Sequence, residues 1–356
     1  MKAIKTIAGH QAEIQDVPLP TLRDGYIFVK VNAIALNPTD WKHIDVVAPP
    51  GTTIGCDFAG VIEQVGSNVG TEWQPGDRIA GFTHGGSEVQ PEDGCAAEYC
   101  VAKAGVGMKV YKVIILFFKI PDGMLDEEAC TLGVGVTTVG QGLYQSLGLP
   151  LPGAKSKANF PILIYGGSTA TGSLAIQYAR LSGCTEIITT CSPRHFEMVK
   201  SLGADAAFDY RDPDCVQKIK NYTKHSLGHA FDCVSTSASA KFCAAAIGPK
   251  GGAVSYLLPL KHDREDVVAK YTLAYTAMGE YFSIAGGREF GPRDEDLEFA
   301  KMFWKLSARL FANGVIRVHP PRVGKDGLEG VFAGYQAMRE GQVSGQKLVY
   351  RIGDTP

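Results

Sequence analysis

The sequence contains no CxxC pair, although nine of its 356 residues are cysteine. Cys56, Cys95, Cys100, Cys130, Cys184, Cys191, Cys215, Cys233 and Cys243 are scattered and odd in number. That spacing argues against a four-cysteine structural zinc lobe and for reduced thiols rather than a disulfide framework. No apolar run approaches the roughly 20 residues that span a bilayer; VIILFF at 113–118 comes nearest and is far too short. The stretch MKAIKTIAGHQAEIQ lacks the apolar core of a secretory signal. Neither sign of charge dominates, and a net charge of −2 offers no strong attraction to nucleic acid or an anionic membrane. Internal repeats and low-complexity tracts are also missing. Together these absences predict a cytosolic globular protein, and the length suits two domains.

What is present changes character along the chain. Gly and Pro first punctuate short β-rich runs: DVPLPTLRDGYIFVKV, TIGCDFAGVIEQVGS, WQPGDRIAG. This is the pattern of a β barrel or sandwich. From about Asn159 strands and helices alternate. PILIY, EIITTC, AAFDY, HAFDCV and AVSYLLPL read as strands. SLAIQYARLSG, PRHFEMVKSLG, DCVQKIKNYT and SASAKFCAAAIG read as the helices between them. Such alternation predicts right-handed βαβ units and a parallel sheet. Residues 261–296 read as a polar, irregular excursion with a helix inside it. Helices are expected near 298–312 and 328–340, and SGQKLVYRI as a closing strand.

The turn after PILIY carries the first chemical signal. A dinucleotide fold needs a tight turn behind its first strand, with backbone N–H groups and a helix N-terminus facing the pyrophosphate. Gly166, Gly167 and Gly172 fit that need, although a strict GxGxxG is absent. Ser168, Thr169 and Thr171 offer hydroxyls around Ala170 where glycines often stand. A Gly/Ser/Thr cluster alone also describes a plain turn, and the β–α series behind it favours the dinucleotide. At the second strand end, TTCSPRHF has no acid to hold a ribose 2′-hydroxyl. Ser192, Pro193, Arg194 and His195 instead supply donors and positive charge, as a 2′-phosphate wants, and Tyr210 ends the next strand. The plain alternative is a helix cap with a solvated arginine. In this position the pattern favours NADP.

The whole chain resembles the medium-chain dehydrogenase/reductase superfamily. The resemblance rests on ALNPTDW at 35–41, GCDFAGVIEQVGSNV at 55–69, PGDRIAG at 75–81 and the cofactor stretch. It implies an α/β fold class: a GroES-like β-rich catalytic domain plus a Rossmann domain, a doubly wound parallel sheet. The expected boundaries are 1–150 with 315–356 for the first and 151–314 for the second. Zinc-dependent relatives carry a Cys–His pair and a four-cysteine lobe, and neither is in place. Cys56 and Asp57 lack partner ligands, so no metal is expected. Within the zinc-free branch, YGGSTATGSLAIQYARLSG, ITTCSPRHFEMVKSLGADAAFDYR and GQVSGQKLVYRI resemble the trans-acting enoyl reductases of fungal polyketide pathways.

That resemblance implies positions. Thr39, Asp40, Trp41 and Lys42 would lie beside the nicotinamide end of NADP. Ser168, Thr169, Ala170 and Thr171 would hold the pyrophosphate, and Ser192, Pro193, Arg194, His195 and Tyr210 the 2′-phosphate end. Leu257, Leu258, Val343 and Ser344 would line the nicotinamide pocket. Gly133, Val134, Gly135, Val136, Thr137, Thr138, Val139 and Gly140 would line an acyl pocket, with Thr276, Ala277, Met278, Gly279 and Glu280 opposite. The family commonly has a proline near Gly133, an alanine near Val134 and an asparagine near Leu258, so this chain departs there.

A zinc-free site suits a double bond already activated by conjugation. Hydride delivered to the β-carbon of an enoyl thioester leaves an enolate, which needs hydrogen-bond donors and a proton. Lys42 and Thr138 are the candidate catalytic donors, with backbone N–H groups near 135–138. A surface lysine is the plain reading of Lys42. His43 and His84 read as structural or exposed. The glycines at 133, 135 and 140 leave room for an acyl chain or serve close helix packing. The implied partners are a polyketide synthase or its acyl carrier domain, a small acyl substrate, and neither nucleic acid nor membrane. The resemblance to trans-acting enoyl reductases implies a monomer, and KHDRED is the kind of charged sequence that blocks edge pairing. A free-standing quinone or 2-alkenal reductase stays open, as does a non-catalytic NADP-binding docking protein.

One segment breaks the pattern. Removing VYKVIILFFK at 110–119 leaves GVGMKIPDGMLDEEA, the uninterrupted run of the resembled family. The excess is apolar, β-prone and free of proline, an aggregation-prone profile. It reads as retained non-coding sequence or a wrong splice junction, with a true inserted loop or docking strand as the alternative. Transcript reads encoding the ten residues would decide for the latter.

Overall fold

The computed structural model describes residues 1–109, 123–284 and 287–356. The extra segment at 110–119 lies outside them. The contacts divide the chain into two units, Met1–Thr137 with Tyr275–Pro356, and Thr138–Ala274.

The first unit opens with a hairpin, β1 (Lys2–Ile7) and β2 (Gln11–Asp16), followed by β3 (Tyr26–Ala35), helix α1 (Pro38–Lys42) and β4 (Asp57–Val65). Next come β5 (Arg78–Phe82), β6 (Tyr99–Lys103), β7 (Gly107–Lys109), α2 (Asp126–Ala129) and α3 (Gly133–Val139); the last two residues of α3 and the π-helical stretch Gly140–Ser146 that continues it already count with the second unit. The second unit contributes β8 (Ile162–Tyr165), α4 (Ala170–Leu181), β9 (Ile187–Thr190), α5 (Phe196–Ser201), β10 (Ala206–Phe208), α6 (Cys215–Tyr222), β11 (His229–Asp232), α7 (Ser237–Ala246), β12 (Gly252–Tyr256) and β13 (Val267–Tyr271). The chain then returns to the first unit with β14 (Phe282–Ile284), β15 (Arg288–Phe290), α8 (Asp294–Ala312), β16 (Pro321–Val323), α9 (Gly327–Arg339) and β17 (Lys347–Arg351).

In the first unit a seven-stranded sheet runs β16-β17-β3-β4-β5-β7, with β6 also on β3. The long strand YIFVKVNAIA is buried along nearly its whole length, and register shifts after Phe28 and Val31 bend it. Its core joins Ile4, Ile27, Ile34, Phe58 and Ile62 to Leu328, Tyr335 and Leu348 from the far end of the sequence. Two distant stretches therefore build one core.

The second unit is a six-stranded parallel sheet in the order β10-β9-β8-β11-β12-β13. Taken from β8 as first, this is the doubly wound dinucleotide order. ILIY and IITT are buried almost throughout because helices cover both faces of such a sheet.

Three expectations change. The strand read into AVSYLLPL ends at Tyr256. The excursion at 261–296 contains β13 and the β14–β15 hairpin, and among the described residues its helical content before α8 is a single 3-10 turn, Ala274–Met278. VVAKY gives little sequence signal because one residue is buried and four are exposed, so pairing with β12 alone defines the strand. The domain division also differs from 150/151 and 314/315: α8 packs with the first unit, near β7, where Trp304 Nε1 donates to Thr137 Oγ1 at 3.1 Å. No helix of the described residues is long and apolar enough to cross a membrane.

Candidate functional site

The glycine turn is built as a helix cap. Gly166 has φ +82° and follows β8 directly. Thr169 caps α4: its Oγ1 accepts the Gly172 N–H at 3.0 Å and donates to the Gly166 carbonyl at 2.8 Å. A Cβ on Gly172 would stand 2.2 Å from Gly166 O, so only glycine lets the helix pass so close to the turn. Thr169 is thus engaged by its own backbone. The N–H groups of Ala170 and Thr171, and the hydroxyls of Ser168 and Thr171, have no partner among the described residues. They are the donors this helix N-terminus offers to an anion, and their chemistry fits a pyrophosphate.

At the tip of β9 the chain turns through Ser192, and Pro193–His195 forms a 3-10 turn before α5. Arg194 is exposed and in no ion pair among the described residues; its Nε donates to His195 Nε2 at 3.3 Å. Burial, aided by the Arg194 charge, lowers the His195 pKa. Tyr210 is exposed beyond β10, its ring 6.3 Å from that of Tyr165, the last residue of β8. Arg211, which sequence reading passed over, is tied to Asp209 and is not free to meet a phosphate. Near the β12 end, the Leu257 N–H donates to Ser235 Oγ at 2.7 Å, so that amide is already engaged; Leu258 is exposed. Buried Asp232 fixes this corner by accepting from Val234 N, Ser235 N and Ser239 Oγ.

In the first unit the NPTD stretch forms α1. Pro38 starts the helix, and the Asn37 N–H donates to Asp40 Oδ2 at 2.7 Å, the reciprocal arm of a capping box. Asp40 is fully buried and its Oδ1 has no hydrogen-bond partner among the described residues. Burial pushes its carboxyl up to about 7; the Asp57 charge adds to the rise, while the Asn37 N–H and Lys347 oppose it. Thr39 Oγ1 shares a hydrogen bond with Tyr275 OH at 2.9 Å and meets His43 Nδ1 at 3.1 Å. His43 Nδ1 also donates to Thr39 O at 2.7 Å, which makes Nε2 the bare nitrogen, buried without a partner among the described residues. Lys42 is half-buried with its Nζ over the Trp41 ring at 5.6 Å. It is in no ion pair among the described residues, and burial lowers its pKa.

His43 and His84 are both buried, and His84 stacks on Tyr275 with ring centroids 3.8 Å apart. Burial, with His43 adding, pushes His84 down to about 3. Of the two expectations for these histidines, the structure takes the structural one. Among the described residues no group of three or more His, Cys, Asp or Glu is placed to hold a metal ion.

A second buried cluster lies beside α1. Lys347 Nζ donates to Asn37 Oδ1 at 3.0 Å, to Thr131 O at 3.2 Å and to Asp57 Oδ2. Asp57 Oδ1 accepts the Val134 N–H at 2.5 Å. A Cβ on Gly133 would lie 2.3 Å from Asp57 Oδ1 and 2.5 Å from Gly81 O. Gly133 therefore has no room for a side chain, which is the close-packing role that the glycines at 133, 135 and 140 are also expected to serve. Val136, Thr137, Thr138 and Val139 are buried along α3, Gly135 and Gly140 with them, while Val134 is half-buried. Thr138 Oγ1 has no partner among the described residues.

The stretch 276–280 is expected to line the acyl pocket opposite α3. Thr276, Ala277 and Met278 are buried, and Gly279 takes φ +71° against Leu297. Glu280 accepts from Tyr26 OH at 2.7 Å and pairs with Lys103 at 2.6 Å, so its carboxylate is engaged within the barrel wall. Val343 and Ser344 are half-buried just before β17. Sequence reading missed Tyr275, Asn37 and Lys347. A lone lysine in the apolar run KLVY and a lone aspartate in CDFAG were the available signal, since buried charges come in pairs.

The family model for the alcohol dehydrogenase GroES-like domain matches residues 23–112, and that for zinc-binding dehydrogenase matches 170–280. A trans-enoyl reductase of Aspergillus sclerotiorum is 46% identical over 98% of this chain and 99% of its own. A dual trans-enoyl reductase/FAD-dependent monooxygenase of Aspergillus terreus is 79% identical over 67% of this chain; the match spans only 34% of that larger protein. Among solved structures, an alcohol dehydrogenase superfamily protein from Novosphingobium aromaticivorans aligns with a TM-score of 0.78 at 19% identity, covering 98% of this chain and 99% of that one.

Proposed function

The chain belongs to the fungal trans-enoyl reductases of the medium-chain dehydrogenase/reductase family, and on that premise we propose that it reduces an α,β-unsaturated polyketide thioester with NADPH, in trans to a synthase. Membership makes it an oxidoreductase with a nicotinamide cofactor. The observation that carries the finer reading is a set of polar groups not tied up among the described residues: Ser168, the Ala170 and Thr171 amides and Thr138 have no hydrogen-bond partner there, and Arg194 and Lys42 are in no ion pair.

Bound NADPH supplies the hydride for the substrate β-carbon. The chain's own part is to bind, orient and stabilise charge. The α4 N-terminus receives the pyrophosphate, with Ser168 and Thr171 adding hydroxyls. Ser192, Arg194 and His195 meet the 2′-phosphate, and the absence of an acid at the β9 tip supports NADP over NAD. Lys42 and Thr138 donate hydrogen bonds to the thioester oxygen as it gains negative charge. A lysine whose pKa burial already lowers gives up or shares a proton more readily than a solvated one. A cytosolic monomer that meets an acyl carrier domain transiently completes the reading.

The test mixes the protein with NADPH or NADH and crotonyl-pantetheine and follows loss of reduced-cofactor absorbance. The proposal expects oxidation of NADPH much faster than of NADH. Turnover of quinones or free 2-alkenals, with none of the thioester even on a carrier domain, would replace it with a free-standing reductase. NADPH binding without turnover of any of these would replace it with a docking protein.

A further inference from the structure

The Asp57–Lys347 pair is buried completely, with side-chain exposures of 0% and 4%. Removing two charges from water is costly, and apolar residues of equal volume would serve stability as well. The pair stands on β4 and β17, among Phe58, Ala59, Leu348 and Val349, where apolar side chains are the rule. Its retention in that setting needs a reason besides packing.

The hydrogen bonds supply one. An ammonium has three donors, and all three of Lys347 are used, on Asn37 Oδ1, Asp57 Oδ2 and Thr131 O. Asn37 is the residue before α1, which carries Thr39 and Lys42. Asp57 reaches on with its other oxygen to the Val134 N–H, in the first turn of α3. Thr131 belongs to the loop between α2 and α3. One ammonium therefore ties the start of α1 to the start of α3 across sequence separations of 310, 290 and 216 residues. The contact is close, because Asp57 and Gly81 leave no space for a Cβ at position 133.

We infer that Lys347 is a positioning residue for the reduction: through Asn37 and Asp57 it fixes the α1 turn against the first turn of α3 and so sets the turnover rate. The inference rests on the proposed reading of α1 and α3 as cofactor- and acyl-facing stretches. Lys347 touches neither ligand in this account, and its removal should leave affinities almost unchanged.

The experiment uses Lys347→Met, the double variant Asp57→Asn/Lys347→Met, and Asn37→Ala, all in the full chain. For Lys347→Met, kcat is expected to fall about tenfold or more, with KM for NADPH and thioester moving less than about twofold. Backbone amide exchange in peptides covering 36–42 and 131–137 should rise together, while that of α4 stays unchanged. The double variant, free of an uncompensated charge, should recover the melting midpoint and leave kcat low. Asn37→Ala cuts one arm without leaving a buried charge, and carries the same comparison where Lys347→Met does not fold. Recovery of kcat together with stability in the double variant would overturn the inference, and so would faster exchange in only one of the two segments. The exchange readout needs no turnover: wild-type protein that fails to reduce the thioester defeats the proposed function and leaves this test standing.

Discussion

Thr169 bonds back onto Gly166: its hydroxyl donates to that carbonyl at 2.8 Å while accepting the Gly172 N–H at 3.0 Å. The three hydroxyls of the STAT turn therefore divide by role. Thr169→Ala should cost about 1 kcal/mol, the ordinary value of an N-cap, in urea unfolding. Ser168→Ala and Thr171→Ala should shift stability by less than about 0.5 kcal/mol and weaken NADPH binding in a fluorescence titration. Equal stability losses in all three would contradict the division.

Arg194 is exposed and meets no carboxylate among the described residues. Arg194→Ala should raise KM for NADPH about tenfold, the scale of one charge-assisted hydrogen bond, and leave KM for NADH unchanged. Steady-state kinetics with both cofactors check it; a matched rise in both would assign Arg194 to the turn and not to the 2′-phosphate.

Gly133 and Gly142 both lack room for a methyl group, against different neighbours. At Gly133 the obstacles are a backbone carbonyl and a paired, buried carboxylate; at Gly142 the obstacle is the edge of the Phe231 ring. Gly133→Ala should lower stability by about 1–3 kcal/mol, as overpacking does, with Gly142→Ala costing less because a ring can shift. Thermal melts of the two variants rank them.

Two buried groups give the stability opposite pH trends. His84 ordinarily titrates near 6.5 and is pushed down to about 3 in the fold. Between those values the unfolded chain binds a proton that the folded chain refuses, so stability falls as pH drops below about 6.5. Asp40 ordinarily titrates near 3.8 and is pushed up to about 7. There the folded chain holds the extra proton, so a penalty absent below about pH 4 grows until about pH 7. His84→Phe should flatten the acid side of a melting-midpoint profile. Asp40→Asn should gain on wild type as pH rises from about 5 to 8. Parallel profiles for variant and wild type would refute either assignment.

Much of the second unit could be read before the structure. Its strands are short apolar runs, buried almost throughout, separated by helices with recognisable stops, and local pattern is enough for such elements. β13 escaped because edge pairing, not burial, defines it. The α8 assignment failed for a related reason: an amphipathic stripe says that a helix packs, not on what. In the candidate site, helix α1 with Thr39 and Lys42 could be singled out from NPTDWK. Tyr275 was not, since nothing local marks a tyrosine that meets Thr39 from 236 residues away. The Asp57–Lys347 pair was hidden in the same way, each charge looking misplaced until the sheet joins β17 to β3 and β3 to β4.

That joining also bears on how the protein is made. β17 pairs with β3 through Val349↔Ala35 and Tyr350↔Ile34, so the strand that completes the sheet leaves the ribosome long after the strand it pairs with. The unit Thr138–Ala274 is entirely synthesised in the interval. During translation the early strands of this sheet must wait with the Ala33–Ala35 end of one β3 edge open, and open edges are where nascent chains stick to one another. The order of synthesis thus makes the unit Thr138–Ala274 the part able to fold first, and leaves the unit with Thr39 and Lys42 dependent on the arrival of Lys347.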